Sequence, residues 1–276
     1  MDVLLTGAYG RVGTAIIDHL ADREEYDFTY LDLEDHPDHE TVVADTAEYD
    51  DIRPAFDGQD AVIHLAGYPY TGGSWEQILR NNLIGYYNAL QAAAEADVES
   101  FIFASSNHAV GMYEIENAPE IYYPDFDLMV DHTVPHRPDS YYGTSKAFGE
   151  DLGRYYIEHD DFDAPSQFYA IRLASVRHTE YDHPYGDAEK GVEEGDWERG
   201  SPEYDETVAR MTAMWQSRRD FAQMVDKCLQ DESVTFDVFY GVSANDRRWF
   251  DIDHAREVIG YDPQDNGDEW DAPPAE

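Results

Sequence analysis

The chain has 276 residues, with 60 Asp and Glu against 18 Lys and Arg, for a formal charge of −42. That balance excludes nucleic acid as a partner, since a polyphosphate is held by cations. It does not describe a disordered acidic chain either, because 42% of residues are apolar and 14% are Phe, Trp or Tyr.

Val3-Leu4-Leu5-Thr6 reads as a short buried strand, and it runs into Gly7-Ala-Tyr-Gly10-Arg-Val-Gly13. Val12, Ile16, Ile17 and Leu20 then recur at helical spacing. Strand, glycine turn and helix in this order form a dinucleotide cradle: glycines let the backbone turn and approach a pyrophosphate, and the helix N-terminus supplies free N–H groups and positive dipole. The second strand, Phe28 to Asp32, ends in a carboxylate placed to accept from ribose hydroxyls and to repel a 2′-phosphate, so NAD is expected over NADP. A third strand-like run ends at Asp45, which could meet the adenine edge.

Strand-like runs at 2–6, 27–32, 41–44, 61–65, 100–104, 167–173 and 235–240 alternate with helical patterns at 12–22, 48–56, 75–96, 142–158 and 216–230. Such alternation predicts an α/β, doubly wound parallel sheet of the Rossmann kind, with ligands outside the carboxyl ends of the strands. Those ends carry His64-Leu65-Ala66-Gly67, Ser105-Ser106-Asn107-His108 and Ser175. The segment 181–206, rich in Gly, Asp and Glu with two prolines, reads as a loop that covers or flanks the site.

In Tyr142-Gly-Thr-Ser-Lys146 one of only three lysines falls four residues after a tyrosine. On a helix the two share a face, and a neighbouring cation favours the phenolate over the phenol, whose pKa is otherwise about 10.

With these motifs together, the chain resembles the extended short-chain dehydrogenase/reductases, the NAD-dependent epimerase/dehydratase family, over nearly its full length. Phe103-Ala-Ser-Ser-Asn-His108, Glu76-Gln-Ile-Leu with Asn81-Asn82, Gly241-Val-Ser-Ala-Asn-Asp246 and Gly260-Tyr-Asp-Pro-Gln-Asp-Asn266 are similar to segments of the NAD-dependent sugar 1-dehydrogenases acting on glucose 6-phosphate, uronates or L-arabinose. The resemblance implies Tyr142 as general base, Lys146 as the residue that holds the nicotinamide ribose and lowers the tyrosine pKa, and Ser106 on the reacting hydroxyl. It implies cofactor contacts from Gly7, Tyr9, Gly10, Arg11, Val12, Gly13, Asp32, Asp45, Leu65, Ala66, Gly67 and Asn82, together with Tyr142 and Lys146. Substrate contacts would come from Tyr70, Ser106, Asn107, Ser175 and Arg210, the last gripping a C6 carboxylate or phosphate. His108 is expected to be structural.

The reaction expected is oxidation of an aldose at C1 to a lactone. The alternatives left open are a nucleotide-sugar 4-epimerase or dehydratase, which retains its NAD, and a non-catalytic NAD(P)-sensing module. A single domain is expected, with the NAD-binding core at about 1–170 and a small C-terminal substrate lobe mainly at 171–276. The charge fits a salt-accumulating cytoplasm, because at molar salt the Debye length falls to about 3 Å and self-repulsion is screened. The lone Cys228 excludes an internal disulfide, no apolar run approaches the ~20 residues that span a bilayer, and a core strand starting at residue 2 leaves no room for a signal peptide. No histidine spacing suggests a metal. A homodimer or homotetramer is expected, built from helices near 78–95 and 142–157 through Leu83, Tyr87, Leu90 and Tyr155.

Overall fold

Val3, Leu4 and Leu5 are all fully buried, although consecutive residues of a strand point to opposite faces. A strand can bury both faces only inside a sheet covered on both sides. In the computed structural model, which describes residues 1–159 and 161–273, that sheet has seven strands: β1 (Asp2–Thr6), β2 (Asp27–Asp32), β3 (Thr41–Val43), β4 (Ala61–His64), β5 (Ser100–Ser106), β6 (Gln167–Leu173) and β7 (Phe236–Gly241). Every pairing is parallel and the spatial order is β3-β2-β1-β4-β5-β6-β7. Val3, Leu5, Ile63, Ile102 and Ile171 pack into one helical layer, and Leu4, Val62, Phe101, Phe168 and Val238 into the other.

The helices are α1 (Gly13–Leu20), α2 (Tyr49–Ile52), α3 (Trp75–Ile78), α4 (Gly85–Glu95), α5 (Met112–Asn117), α6 (Tyr141–Glu158), α7 (Gly186–Glu194), α8 (Pro202–Met214), α9 (Arg218–Gln230) and α10 (Asp253–Val258). Between α3 and α4 the chain continues as a π-helical segment, Leu79–Ile84. The strand order reverses at β1, which pairs with β2 on one side and β4 on the other, so the crevice that receives a dinucleotide opens above the ends of β1 and β4.

Two expectations need correction. The stretch 181–206 is not a loop: it holds α7 and the start of α8. Local signals for both were present, because α7 ends at Gly195 with φ +81 and α8 begins with Ser201 as N-cap and Pro202 in its first turn. Leu90 is fully buried against the sheet and offers nothing to a second chain. Tyr87 and Tyr155 are exposed as expected, joined on the outer face of α4 and α6 by Ile84 and Phe148. Among the described residues no helix is long and apolar enough to cross a membrane.

Candidate active site

The glycine turn closes on β4. Gly7 has φ +68, and a Cβ there would stand 2.8 Å from the backbone nitrogen of Ala66; one on Gly13 would collide with the carbonyls of Ala8 and Gly7. The cradle therefore requires glycine at both positions and presents bare backbone to a ligand. Tyr9 N–H donates to Asp32 Oδ2 at 2.8 Å, which seats the carboxylate beside the turn, while the Tyr9 ring stacks on His36 and its hydroxyl bonds Thr41 at 2.6 Å. Each Asp32 oxygen still has a lone pair to offer a ribose diol.

A cavity of about 280 Å³ lies beyond the ends of β4, β5 and β6, and the residues lining it include Arg11, Val12, Leu65, Gly67, Tyr70, Ser106, Asn107, Tyr142, Lys146, Ser175 and Arg210. Those eleven sequence-predicted residues are thus gathered around one space. Gly7, Gly10, Gly13 and Ala66 are not among its lining residues. Asn82 and Asp45 are committed elsewhere. Asn82 accepts from Tyr68 N–H at 2.8 Å and donates to Tyr68 O and Ser145 Oγ, so it fixes the loop after β4 from the π-helical segment. Asp45 caps Ala47 N–H and pairs with Arg80 at 2.7 Å.

Helix α6 starts at Ser140, whose hydroxyl accepts from Gly143 N–H at 3.0 Å, and this cap sets the first turn that carries Tyr142. Lys146 is buried one turn on; its Nζ donates to Ala104 O at 2.7 Å, and burial pulls its pKa down to about 8. The Tyr142 phenol differs from expectation. Burial raises its pKa, and the opposing influences are its hydrogen bond with Ser106 and the positive field of Arg11, not Lys146, whose ammonium is engaged by the end of β5.

Ser106 Oγ also accepts from His108 N–H, and Asn107, almost fully buried, has a side-chain nitrogen with no partner at the cavity wall. His108 lines the cavity too, with Nδ1 2.5 Å from Asp139 Oδ2 and its ring edge-on to Tyr142.

Arg210 reaches the cavity from α8 with Nε 2.5 Å from Glu114 Oε1 and Nη2 3.3 Å from Oε2. Beside it stands a residue that the sequence did not mark, Arg177, held by Asp187 of α7 through two 2.5 Å bonds. The Arg11 guanidinium has no hydrogen-bond partner among the described residues; burial, then the neighbouring Arg177, pushes its pKa below the ordinary value. Acids make up 60 of 276 residues, yet none of the 21 residues lining the cavity is Asp or Glu, and four are Arg or Lys.

Below the site, Glu150 accepts from Arg172 Nε and Nη2 at 2.9 and 2.8 Å and from Ser105 Oγ at 2.5 Å, with His136 Nε2 at 2.8 Å, tying α6 to β5 and β6. The Gly241 to Asp246 segment likewise proves structural: Asn245 bonds Ala213 O, Trp215 O and Gly267 N–H. One group of possible metal ligands, His132, Asp237 and His254, escaped the sequence because its members are far apart in the chain. Its two rings stack at 3.6 Å and 12°, so their in-plane lone pairs run side by side instead of converging.

Residues 3–175 match the model of the NAD dependent epimerase/dehydratase family. The chain belongs to that family. It is 40% identical to the NAD-dependent glucose-6-phosphate dehydrogenase of Haloferax volcanii, over 97% of this chain and 95% of the relative, and 32% identical to the L-arabinose 1-dehydrogenase (NAD(P)(+)) of the same organism, over 96% of each. Among solved structures it is similar to a tyrosine-to-alanine mutant of uronate dehydrogenase from Agrobacterium tumefaciens complexed with NAD, with TM-score 0.74 and 28% identity, over 99% of this chain and 91% of that one. In this family member the residues present fit NAD: a glycine cradle that tolerates no Cβ, an acid at the end of β2, and an unpartnered Arg11 guanidinium beside the turn.

Proposed function

We propose that this chain is an NAD-dependent sugar 1-dehydrogenase whose substrate is an aldose carrying an anionic group at C6, a sugar phosphate in the first instance. The observation that carries the reading is the cavity lined by Arg11, Lys146, Arg177 and Arg210 with no carboxylate in its wall. Arginine forks suit phosphate and carboxylate oxygens, and a phosphate has more oxygens to share between two forks. The 40% identity to a glucose-6-phosphate dehydrogenase supports the same reading.

Bound NAD supplies the hydride acceptor. Tyr142, as the phenolate, would accept the proton of the C1 hydroxyl as C1 loses its hydride, and the sugar would leave as a lactone. Ser106, beside the phenol in the cavity wall, holds that hydroxyl in line. The unpartnered Asn107 amide and the buried Ser175 hydroxyl receive ring hydroxyls, Tyr70 covers the mouth, and Arg210 with Arg177 binds the C6 anion. Lys146, anchored to Ala104, holds the nicotinamide ribose, and Asp32 the adenosine ribose. On this reading residues up to about 170 hold the cofactor and those from 171 hold most of the sugar. Two chains would pair through the exposed Ile84 at the end of the π-helical segment, Tyr87 of α4, and Phe148 and Tyr155 of α6.

Mixing the protein with NAD⁺ and single aldoses at molar KCl tests the reaction. NADH and lactone should form in equal amounts. Epimerised sugar without net NADH would refute the dehydrogenase.

A further inference from the structure

Arg218, the first residue of α9, is 4% exposed at its side chain and reaches into three segments at once. Its Nη1 donates to the main-chain carbonyls of Arg11 at 3.0 Å and Arg177 at 3.3 Å. Its Nη2 donates to Thr14 Oγ1 at 3.1 Å and Asp18 Oδ2 at 2.5 Å, both on α1. The Thr14 hydroxyl in turn donates to Arg11 O, and the backbone N–H of Arg218 is held by Asp182 Oδ2 at 3.1 Å, in the same segment that follows Arg177.

The two carbonyls belong to residues whose side chains both line the cavity, one from the glycine turn and one from the segment after β6. Those side chains carry like charges close enough to disfavour each other, and the same field is felt by His178, whose pKa is lowered by burial and then by Arg11, with Arg218 contributing. A planar guanidinium with several fixed donors can hold both carbonyls and α1 together; a lysine ammonium, with three donors at one point, cannot span that set.

We infer that Arg218 is a positioning residue that locks the cofactor turn to the sugar-binding wall, so that filling one half of the site preorganises the other. The inference rests on the proposed function for the identity of the two ligands. Arg218 touches neither of them, and its effect passes through the backbone of Arg11 and Arg177.

The test is calorimetry on the intact protein at molar KCl, measuring the Kd of NAD⁺ alone and the Kd of glucose 6-phosphate with and without saturating NADH. In the wild type, NADH should tighten glucose 6-phosphate binding about 5-fold or more. In Arg218→Lys, the NAD⁺ Kd should rise at least about 5-fold and the NADH effect on the sugar should vanish. Asp18→Asn, which removes an exposed partner while leaving both carbonyl bonds, should keep the coupling. A merely structural arginine would lower the melting temperature without changing the ratio of the two sugar affinities. Unchanged NAD⁺ affinity and coupling in Arg218→Lys, or an equal loss in Asp18→Asn, would overturn the inference. Should glucose 6-phosphate fail to bind the wild type at all, the proposed function falls, and the NAD⁺ arm still decides whether Arg218 sets the cofactor turn.

Discussion

Lys146 Nζ donates to the carbonyl of Ala104 at 2.7 Å, so the helix that carries Tyr142 is pinned to the strand that ends in Ser106. This bond fixes the separation of the phenol and the serine hydroxyl before any substrate arrives. Geometry of that kind is what lets a side chain of ordinary acidity act as a base. Burial pushes the Tyr142 pKa above that of a free phenol, with Ser106 and the positive field of Arg11 acting against the rise.

Tyr142→Phe should therefore lower kcat by about 10²–10⁴-fold, the typical weight of a positioned base, and leave the Kd for NAD⁺ within a factor of about three. Steady-state kinetics beside calorimetry checks both. Substantial residual turnover would remove Tyr142 from the proton transfer.

Asp32 receives Tyr9 N–H at 2.8 Å, beside the glycine turn. Asp32→Ser should cut kcat/KM for NAD⁺ by about 10-fold or more, the loss of a charge-assisted contact, and improve the ratio in favour of NADP⁺. A wild type that uses NADP⁺ better than NAD⁺ would show that the carboxylate does not govern the choice.

Arg210 and Glu114 are 96 positions apart and their pairing leaves one Arg210 nitrogen free of that bond. Arg210→Ala should raise KM for glucose 6-phosphate by roughly 10–100-fold while changing KM for glucose little, since only the phosphate loses a charge-assisted contact worth ~1.5–3 kcal/mol. Equal changes for both sugars would make Arg210 a structural bridge to α5.

The Glu150 carboxylate has its pKa raised by burial and lowered more strongly by its hydrogen bonds from His136 and Arg172, ending at about 2. A carboxylate depressed in the folded state stabilises the fold above its unfolded value near 4.5, and that contribution is lost as pH falls through about 2. Glu150→Gln leaves Arg172 buried without its counter-ion, which should cost about 3–5 kcal/mol near neutral pH and flatten the dependence of stability on pH between those values. Chemical denaturation across that range measures both effects.

The parallel, doubly wound sheet, the glycine turn, Asp32 at the end of β2 and the shared helix of Tyr142 and Lys146 were legible because each is written in local spacing: alternating periods, glycines at a strand end, residues one helical turn apart. Arg177 was not legible. Nothing around it marks a site, and in a chain with 60 acids every arginine has many candidate partners, so its bond to Asp187 and that of Arg210 to Glu114 are decided only by packing. Asp45 was placed near the adenine from its strand end and Asn82 at the cofactor by similarity; their side chains bond Tyr68, Ser145, Ala47 and Arg80, partners that no local spacing announces. The 181–206 segment was misread because its composition is polar throughout, and α7 forms there around the buried Gly186, Ala188 and Gly191 and the Arg177–Asp187 pair.

The central claim is that a cavity ringed by arginines, in a chain otherwise covered with carboxylates, selects a phosphorylated aldose for oxidation at C1. The most direct measurement is kcat/KM of the wild type with NAD⁺ for glucose 6-phosphate and for glucose at the same molar KCl. A preference of about 100-fold or more for the phosphate is expected, from two guanidinium contacts each contributing ~1.5–3 kcal/mol before screening. Equal values, or a preference for the neutral sugar, would contradict it.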